Sequence, residues 1–157
     1  MRRKDREVSD VQIIESIIKK AEVCRIALTD GTNPYIIPLN FGYTYEGGRL
    51  TLFFHCAKEG RKLDMIKANG NACFELEGDC SVVSAPNACS FTMEFESVIG
   101  DGKIEILADV GEKRRGMEVL MSKYAPGKSF DIPDEAIASI VVLKLSAESL
   151  SCKRNIK

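Results

Sequence analysis

The chain has 157 residues, 45% of them hydrophobic, with 22 basic side chains against 23 acidic ones. That length and apolar content suit one domain with a sizeable core. The near-cancelling charge excludes a broad field toward nucleic acid or an anionic membrane, so partner choice must be local. The longest apolar runs, such as Ile137 to Leu145, fall short of the roughly 20 residues a membrane-spanning helix needs.

The charged start, Met1 to Glu7, leads into an amphipathic pattern and not into the unbroken apolar run of a secretory signal, which points to the cytoplasm. Ser9 is placed to cap a helix from Asp10 to Ala21, with Gln12 completing a capping box and Ile13, Ile14, Ile17 and Ile18 recurring at helical spacing. Val23 to Thr29 and Pro34 to Tyr43 are β-rich and flank the turn-forming Asp30-Gly31-Thr32-Asn33, which predicts an antiparallel hairpin. Glu46-Gly47-Gly48 turns the chain into a second hairpin arm, Leu50 to His55, where Leu52, Phe53 and Phe54 predict a strand buried on both sides. A short helix opens in Lys58-Glu59-Gly60-Arg61-Lys62, runs through Ala68 and stops at Asn69-Gly70-Asn71.

Ala72 to Glu77 reads as a strand and Gly78 to Asn87 as an exposed loop. From Cys89 onward Phe91, Met93 and Phe95 alternate with Thr92, Glu94 and Glu96 as in a half-buried strand, which Gly100-Asp101-Gly102 is expected to turn into Lys103 to Leu107. Val110 to Tyr124 is an amphipathic helix with Val110, Met117, Leu120, Met121 and Tyr124 on one face and the charged run Glu112 to Arg115 toward solvent. A loop from Ala125 to Pro133, a helical turn at Glu135 to Ala138 and an apolar strand from Ile140 to Leu145, leading on to Leu150 and Lys153, complete the chain. The expected fold is mainly β with flanking helices: six or seven antiparallel strands closing into a barrel or sandwich, in one domain over residues 1–157.

Six cysteines, Cys24, Cys56, Cys73, Cys80, Cys89 and Cys152, read as free and mostly buried thiols in a reducing compartment. With no C-x-x-C and one histidine, no metal site is expected. Dinucleotide-binding glycine loops, nucleophile elbows and zinc-protease motifs are missing. A nucleophilic Cys56 beside His55 is disfavoured because neighbours on a strand point to opposite faces.

The informative stretch is Phe53 to Asp64. A helix start offers unpaired N–H groups and a positive dipole end, and Arg61 and Lys62 add charge, so a phosphate would be held there. The competing reading makes Arg61 and Lys62 surface charges paired with Glu59 and Asp64, and His55 a hydrogen-bonded edge residue. Pro38 within Ile36 to Phe41 implies an edge or interrupted ladder whose free backbone groups could meet the rim of a planar heterocycle.

On these residues the chain resembles the pyridoxamine phosphate oxidase-like flavoproteins with the split-barrel fold, and among them the nitroimidazole-resistance (Nim-type) branch. The matching stretches are Arg25 to Leu28, Pro34 to Tyr43, Leu52 to Ala57 with Gly60 to Leu63, Ser97 to Lys103, and Ser151 to Lys153. The resemblance implies FMN in a cleft between the subunits of a homodimer. It places the flavin ring along Ile37, Pro38, Leu39 and Asn40, and the phosphate against His55, Cys56, Ala57, Gly60, Arg61 and Lys62. Ser97, Val98 and Ile99 would contribute, from the partner subunit. It also implies that His55 faces the ligand pocket near the flavin as the catalytic residue, binding the acceptor or donating a proton. The reaction class, with no nicotinamide-binding motif readable, makes NAD(P)H the expected electron donor and a small, nitroaromatic type of compound the acceptor. The arginine–histidine set for pyridoxamine phosphate itself is missing near the C-terminus. The alternative is a non-catalytic module that binds flavin or haem.

Overall fold

The computed structural model describes residues 2–156. Its helices are α1 (Val11–Lys20), α2 (Arg61–Ala68), α3 (Val110–Tyr124) and α4 (Asp134–Ser139). Its strands are β1 (Glu7–Val8), β2 (Cys24–Thr29), β3 (Pro34–Leu39), β4 (Gly42–Glu46), β5 (Arg49–Cys56), β6 (Asn71–Val83), β7 (Thr92–Ile106) and β8 (Val141–Asn155). They form one antiparallel sheet in the order β3-β2-β6-β7-β8-β5-β4, with β1 added to β8. The two edge strands, β3 and β4, are consecutive in the chain and separated only by Asn40 and Phe41. The sheet therefore curls until its edges meet at that corner without a ladder between them, which makes it a split barrel.

The corner is pinned from outside: the Tyr124 hydroxyl accepts from the Phe41 N–H at 3.1 Å and donates to the Glu22 carbonyl at 2.7 Å. The Lys123 ammonium beside it donates to the Lys19 carbonyl at 2.9 Å and lies 4.5 Å from the centre of the Phe41 ring. A cation there satisfies the carbonyl end of α1, where the helix dipole favours it, and burial pulls the Lys123 pKa down.

Period-two alternation places Leu52, Phe54, Phe74, Leu76, Val98, Leu143 and Leu145 inside the barrel, where α1 adds Ile14, Ile17 and Ile18. A smaller cluster of Phe53, Leu107 and Val142 lies on the other side of the sheet, under α3. Leu52, Phe53 and Phe54 are all buried, as their run predicts. Burying each such side chain is worth about 1.5–3 kcal/mol.

Several boundaries differ from the sequence reading. Asp10, not Ser9, caps α1, accepting from the N–H groups of Gln12 at 2.8 Å and Ile13 at 3.2 Å. The segment from Gly78 is a bulged continuation of β6 to Val83, with the register shift between Glu77 and Cys80. Gly100-Asp101-Gly102 is no turn: β7 runs straight through it against β8 with a local register shift. The glycine is there for proximity, because a Cβ on Gly102 would collide with the Ser146 carbonyl. The run expected in solvent on α3 is partly engaged, since Lys113 donates to the Ile140 carbonyl at 3.3 Å and Arg114 to the Ile132 carbonyl and Asp134. Val110 is exposed, not buried. Only Cys24 and Cys152 of the six free thiols are buried, while Cys80 and Cys89 are exposed. Among the described residues no helix is long and apolar enough to cross a membrane.

Candidate functional site

His55 and Cys56 end β5, and the strand's alternation separates them. His55 follows Phe53 onto the α3 side of the sheet, where it is exposed; Cys56 follows Phe54 and packs against the barrel core. The imidazole makes no hydrogen bond with any described residue, so it is not the satisfied edge histidine of the competing reading.

Ala57 to Glu59 then leads to Gly60, whose φ of +138° is accessible without strain only to glycine. That residue stands at the N-cap of α2 and supplies no side-chain cap. The helix start therefore presents unpaired N–H groups with positive charge beside them.

Arg61 and Lys62 are adjacent on α2, so they leave the helix about 100° apart. Lys62 lies on the Cys56 side: burial pushes the Cys56 thiol up, and the Lys62 ammonium pulls against that shift. It is half-buried and makes no ion pair or hydrogen bond among the described residues. Arg61 turns instead to the β2–β3 turn. Its Nη2 donates to Asp30 Oδ2 at 3.3 Å, and its guanidinium carbon lies 4.8 Å from the centre of the Tyr35 ring. The expected partners Glu59 and Asp64 are not the ones it takes. A 440 Å³ cleft opens along this contact, lined by Asp30, Arg61 and Met65 among others.

On edge strand β3, Ile37 and Leu39 are half-buried against the core while Ile36 and Pro38 face outward, Ile36 at 63% exposure. Asn40 is exposed at the barrel corner and lines a 490 Å³ cleft with Lys19, Lys20, Lys123 and Tyr124. Ser97 and Ile99 point outward from β7, and the register Pro38↔Arg25, Arg25↔Glu75, Glu75↔Ile99 puts Ile99 in one row with Pro38 on the outer face. Val98, between them, is wholly buried inside the barrel and offers a ligand no side chain.

The sites named from the sequence thus fall into two groups. His55, Cys56, Ala57, Gly60, Arg61 and Lys62 gather around the end of β5 and the start of α2. Ile99 pairs with Ser151, nine residues along β8 from the Val142 that pairs with His55. Nine residues amount to roughly 30 Å of strand. One chain does not bring Ser97 and Ile99 to His55. Asp30 and Tyr35 went unrecognised as site neighbours, because Asp30 signals only a turn locally and its contact lies 31 residues downstream.

Comparison with known proteins identifies the family and the fold. The family model described as pyridoxamine 5'-phosphate oxidase matches residues 10–154. A candidate 5-nitroimidazole antibiotic resistance protein from Bacteroides thetaiotaomicron is 34% identical, over 94% of this chain and 85% of its own, with a TM-score of 0.81. The fold also recurs in a flavocytochrome from Azotobacter vinelandii, at 21% identity over 100% of this chain and 72% of that one, TM-score 0.82. An FAD- and haem-binding protein from Mycobacterium smegmatis shares it at 17% identity over 97% and 74%, TM-score 0.85. No curated protein matches the sequence. With a matching model over nearly its whole length, the chain belongs to the pyridoxamine 5'-phosphate oxidase family.

Proposed function

We propose that the chain is an FMN-dependent oxidoreductase of the Nim type, a cytoplasmic homodimer that passes electrons from NAD(P)H to a small acceptor of the nitroaromatic class. The observation that carries this reading is the uncapped start of α2, where free N–H groups and Lys62, without a partner among the described residues, stand a few residues from the open imidazole of His55. That donor set fits the phosphate of FMN, which wants charge-assisted hydrogen bonds from backbone and side-chain nitrogens. The exposed edge of β3, with Ile36 and Pro38 outward, supplies apolar contact and free backbone groups for a planar ring. Bound FMN would supply hydride and electron chemistry; the protein's part is to orient it and exclude water.

His55 binds the acceptor or gives it a proton in this reading, while Lys62 and the α2 N–H groups hold the phosphate. The separation of Ser97 and Ile99 from His55 supports a homodimer in which each site is completed by the second subunit. The resemblance to a candidate nitroimidazole-resistance protein at 34% identity supports the acceptor class.

The test is an absorbance spectrum of the purified protein after FMN is added and the excess removed by gel filtration. Flavin bands at about one FMN per chain, bleached by NADH or NADPH and restored by a nitroaromatic, are the expected result. Folded protein that retains no FMN at micromolar concentration sinks the reading. The second reading, a non-catalytic flavin or haem module, rests on the same imidazole, exposed and without a hydrogen bond. It predicts a Soret band with haem, or flavin that is retained without turnover.

A further inference from the structure

The two cations at the start of α2 are not equivalent. Lys62 has no partner among the described residues, whereas Arg61 is engaged twice, by the Asp30 carboxylate and by the face of Tyr35. Neither of its partners is free to follow it. Asp30 Oδ1 accepts from the N–H groups of Thr32 at 2.9 Å and Asn33 at 3.0 Å, which fixes the carboxylate in the turn. Those two N–H groups, with Arg61 behind them, hold the Asp30 carboxyl below its ordinary range, so it stays charged. Tyr35 is half-buried on β3 and packed against the barrel core. The long Arg61 side chain is the movable partner, and its contact with Asp30 is a single one at 3.3 Å with both side chains about half exposed. Such a contact is weak, and a phosphate offers the guanidinium more charge and two acceptor oxygens at once.

We propose that Asp30 is a positioning residue that holds Arg61 against the β2–β3 turn, so that a phosphate-bearing ligand at α2 gains the guanidinium only by exchanging with the Asp30 carboxylate. The inference rests on the flavin phosphate lying at α2. Asp30 then sets how strongly the site prefers a phosphorylated flavin over the same ring without phosphate. It opposes the phosphate while the site is empty, and Lys62 and the helix N–H groups make the first contact.

The substitution Asp30→Asn removes the charge and keeps the Oδ1 acceptor that the turn needs. Dissociation constants for FMN and riboflavin are measured by flavin fluorescence for the wild type, Asp30→Asn, Arg61→Gln and the double variant. Asp30→Asn is expected to tighten FMN about three- to tenfold and leave riboflavin within about twofold, and the gain should vanish in the Arg61→Gln background. Equal gain in both backgrounds overturns the proposal, because Asp30 would then act by direct repulsion. Weaker FMN binding by Asp30→Asn overturns it too, because Asp30 would then be aiming Arg61 at the phosphate, and so does an equal change for riboflavin.

Stabilisation by inorganic phosphate, read as a thermal shift on the same four proteins, separates this proposal from the flavin reading. A phosphate-dependent shift that grows in Asp30→Asn only when Arg61 is present keeps the exchange even if no flavin is retained. Flavin retained by the wild type without the Asp30 effect leaves the cofactor reading standing and removes the exchange.

Discussion

Two carboxylates of this protein meet basic side chains in opposite settings. Asp30 touches Arg61 at the exposed β2–β3 turn. Glu96 is wholly buried on β7, where Lys20 of α1 reaches its Oε2 at 2.9 Å and Arg154 of β8 approaches its Oε1 at 2.8 Å. Lys20 also pairs with Asp79 at the β6 bulge, so α1, β6, β7 and β8 converge on one ionic knot. An exposed pair is in constant competition with water and can be exchanged for a ligand. A buried charge has already lost its water, and removing its partners is expensive. The same chemistry is therefore exchangeable at one place and cohesive at the other, and burial decides which.

The comparison breaks most directly on stability. Glu96→Ala takes the carboxylate from Arg154, leaves Lys20 with Asp79 alone and opens a cavity, and is expected to lower the unfolding temperature by about 8 °C. Asp30→Asn should move it by less than about 2 °C, since the turn keeps its acceptor. Similar shifts from the two variants, measured by differential scanning calorimetry, would mean that burial does not divide their roles. On activity, His55→Ala is expected to lower acceptor reduction about a hundredfold with flavin retained, the range for loss of a positioned proton donor. Loss of flavin in that variant would instead assign His55 to cofactor binding. Lys62→Gln should weaken FMN about tenfold and leave riboflavin nearly unchanged, because in the proposed site only the phosphate meets the ammonium. A titration that finds both flavins equally weakened would remove Lys62 from the phosphate site.

Much of this was legible in the sequence where the signal is local. The helix from Val110 to Tyr124 coincides with its periodic pattern, and Asp30 to Asn33 forms the predicted turn. Gly60-Arg61-Lys62 stands at a helix start as read. Reading failed where a residue answers to a distant neighbour. Gly102 looks like a turn signal, yet its lack of a side chain serves the Ser146 carbonyl across the ladder. Glu96 fits the polar side of an alternating strand, but the alternation turns it into the barrel, where its cations come from residues 20 and 154. Arg61 could be placed at the start of α2, but its partner could not, because nothing near it in sequence identifies Asp30.

The thiols give the smallest effect and follow the ionic knot most closely. Cys152 pairs with Val98 across β7 and β8, and burial together with the Glu96 charge pushes its pKa up to about 11. Cys24 is buried too, and burial pushes its thiol further still in the same direction. Both should resist a disulfide reagent at pH 8 until the protein unfolds, because the thiolate is the reacting form and access is blocked. Cys89 is exposed and should react first. Cys80 should be slower, since its thiol donates to Glu77 at 3.4 Å and is itself pushed up. In Glu96→Gln the neighbouring charge is lost while the side chain keeps its shape, so a modest rise in Cys152 labelling with Cys24 unchanged would locate the loosening at the knot. Equal acceleration at both cysteines would mean that the whole barrel opens together, and that Glu96 holds the fold without holding any one part of it.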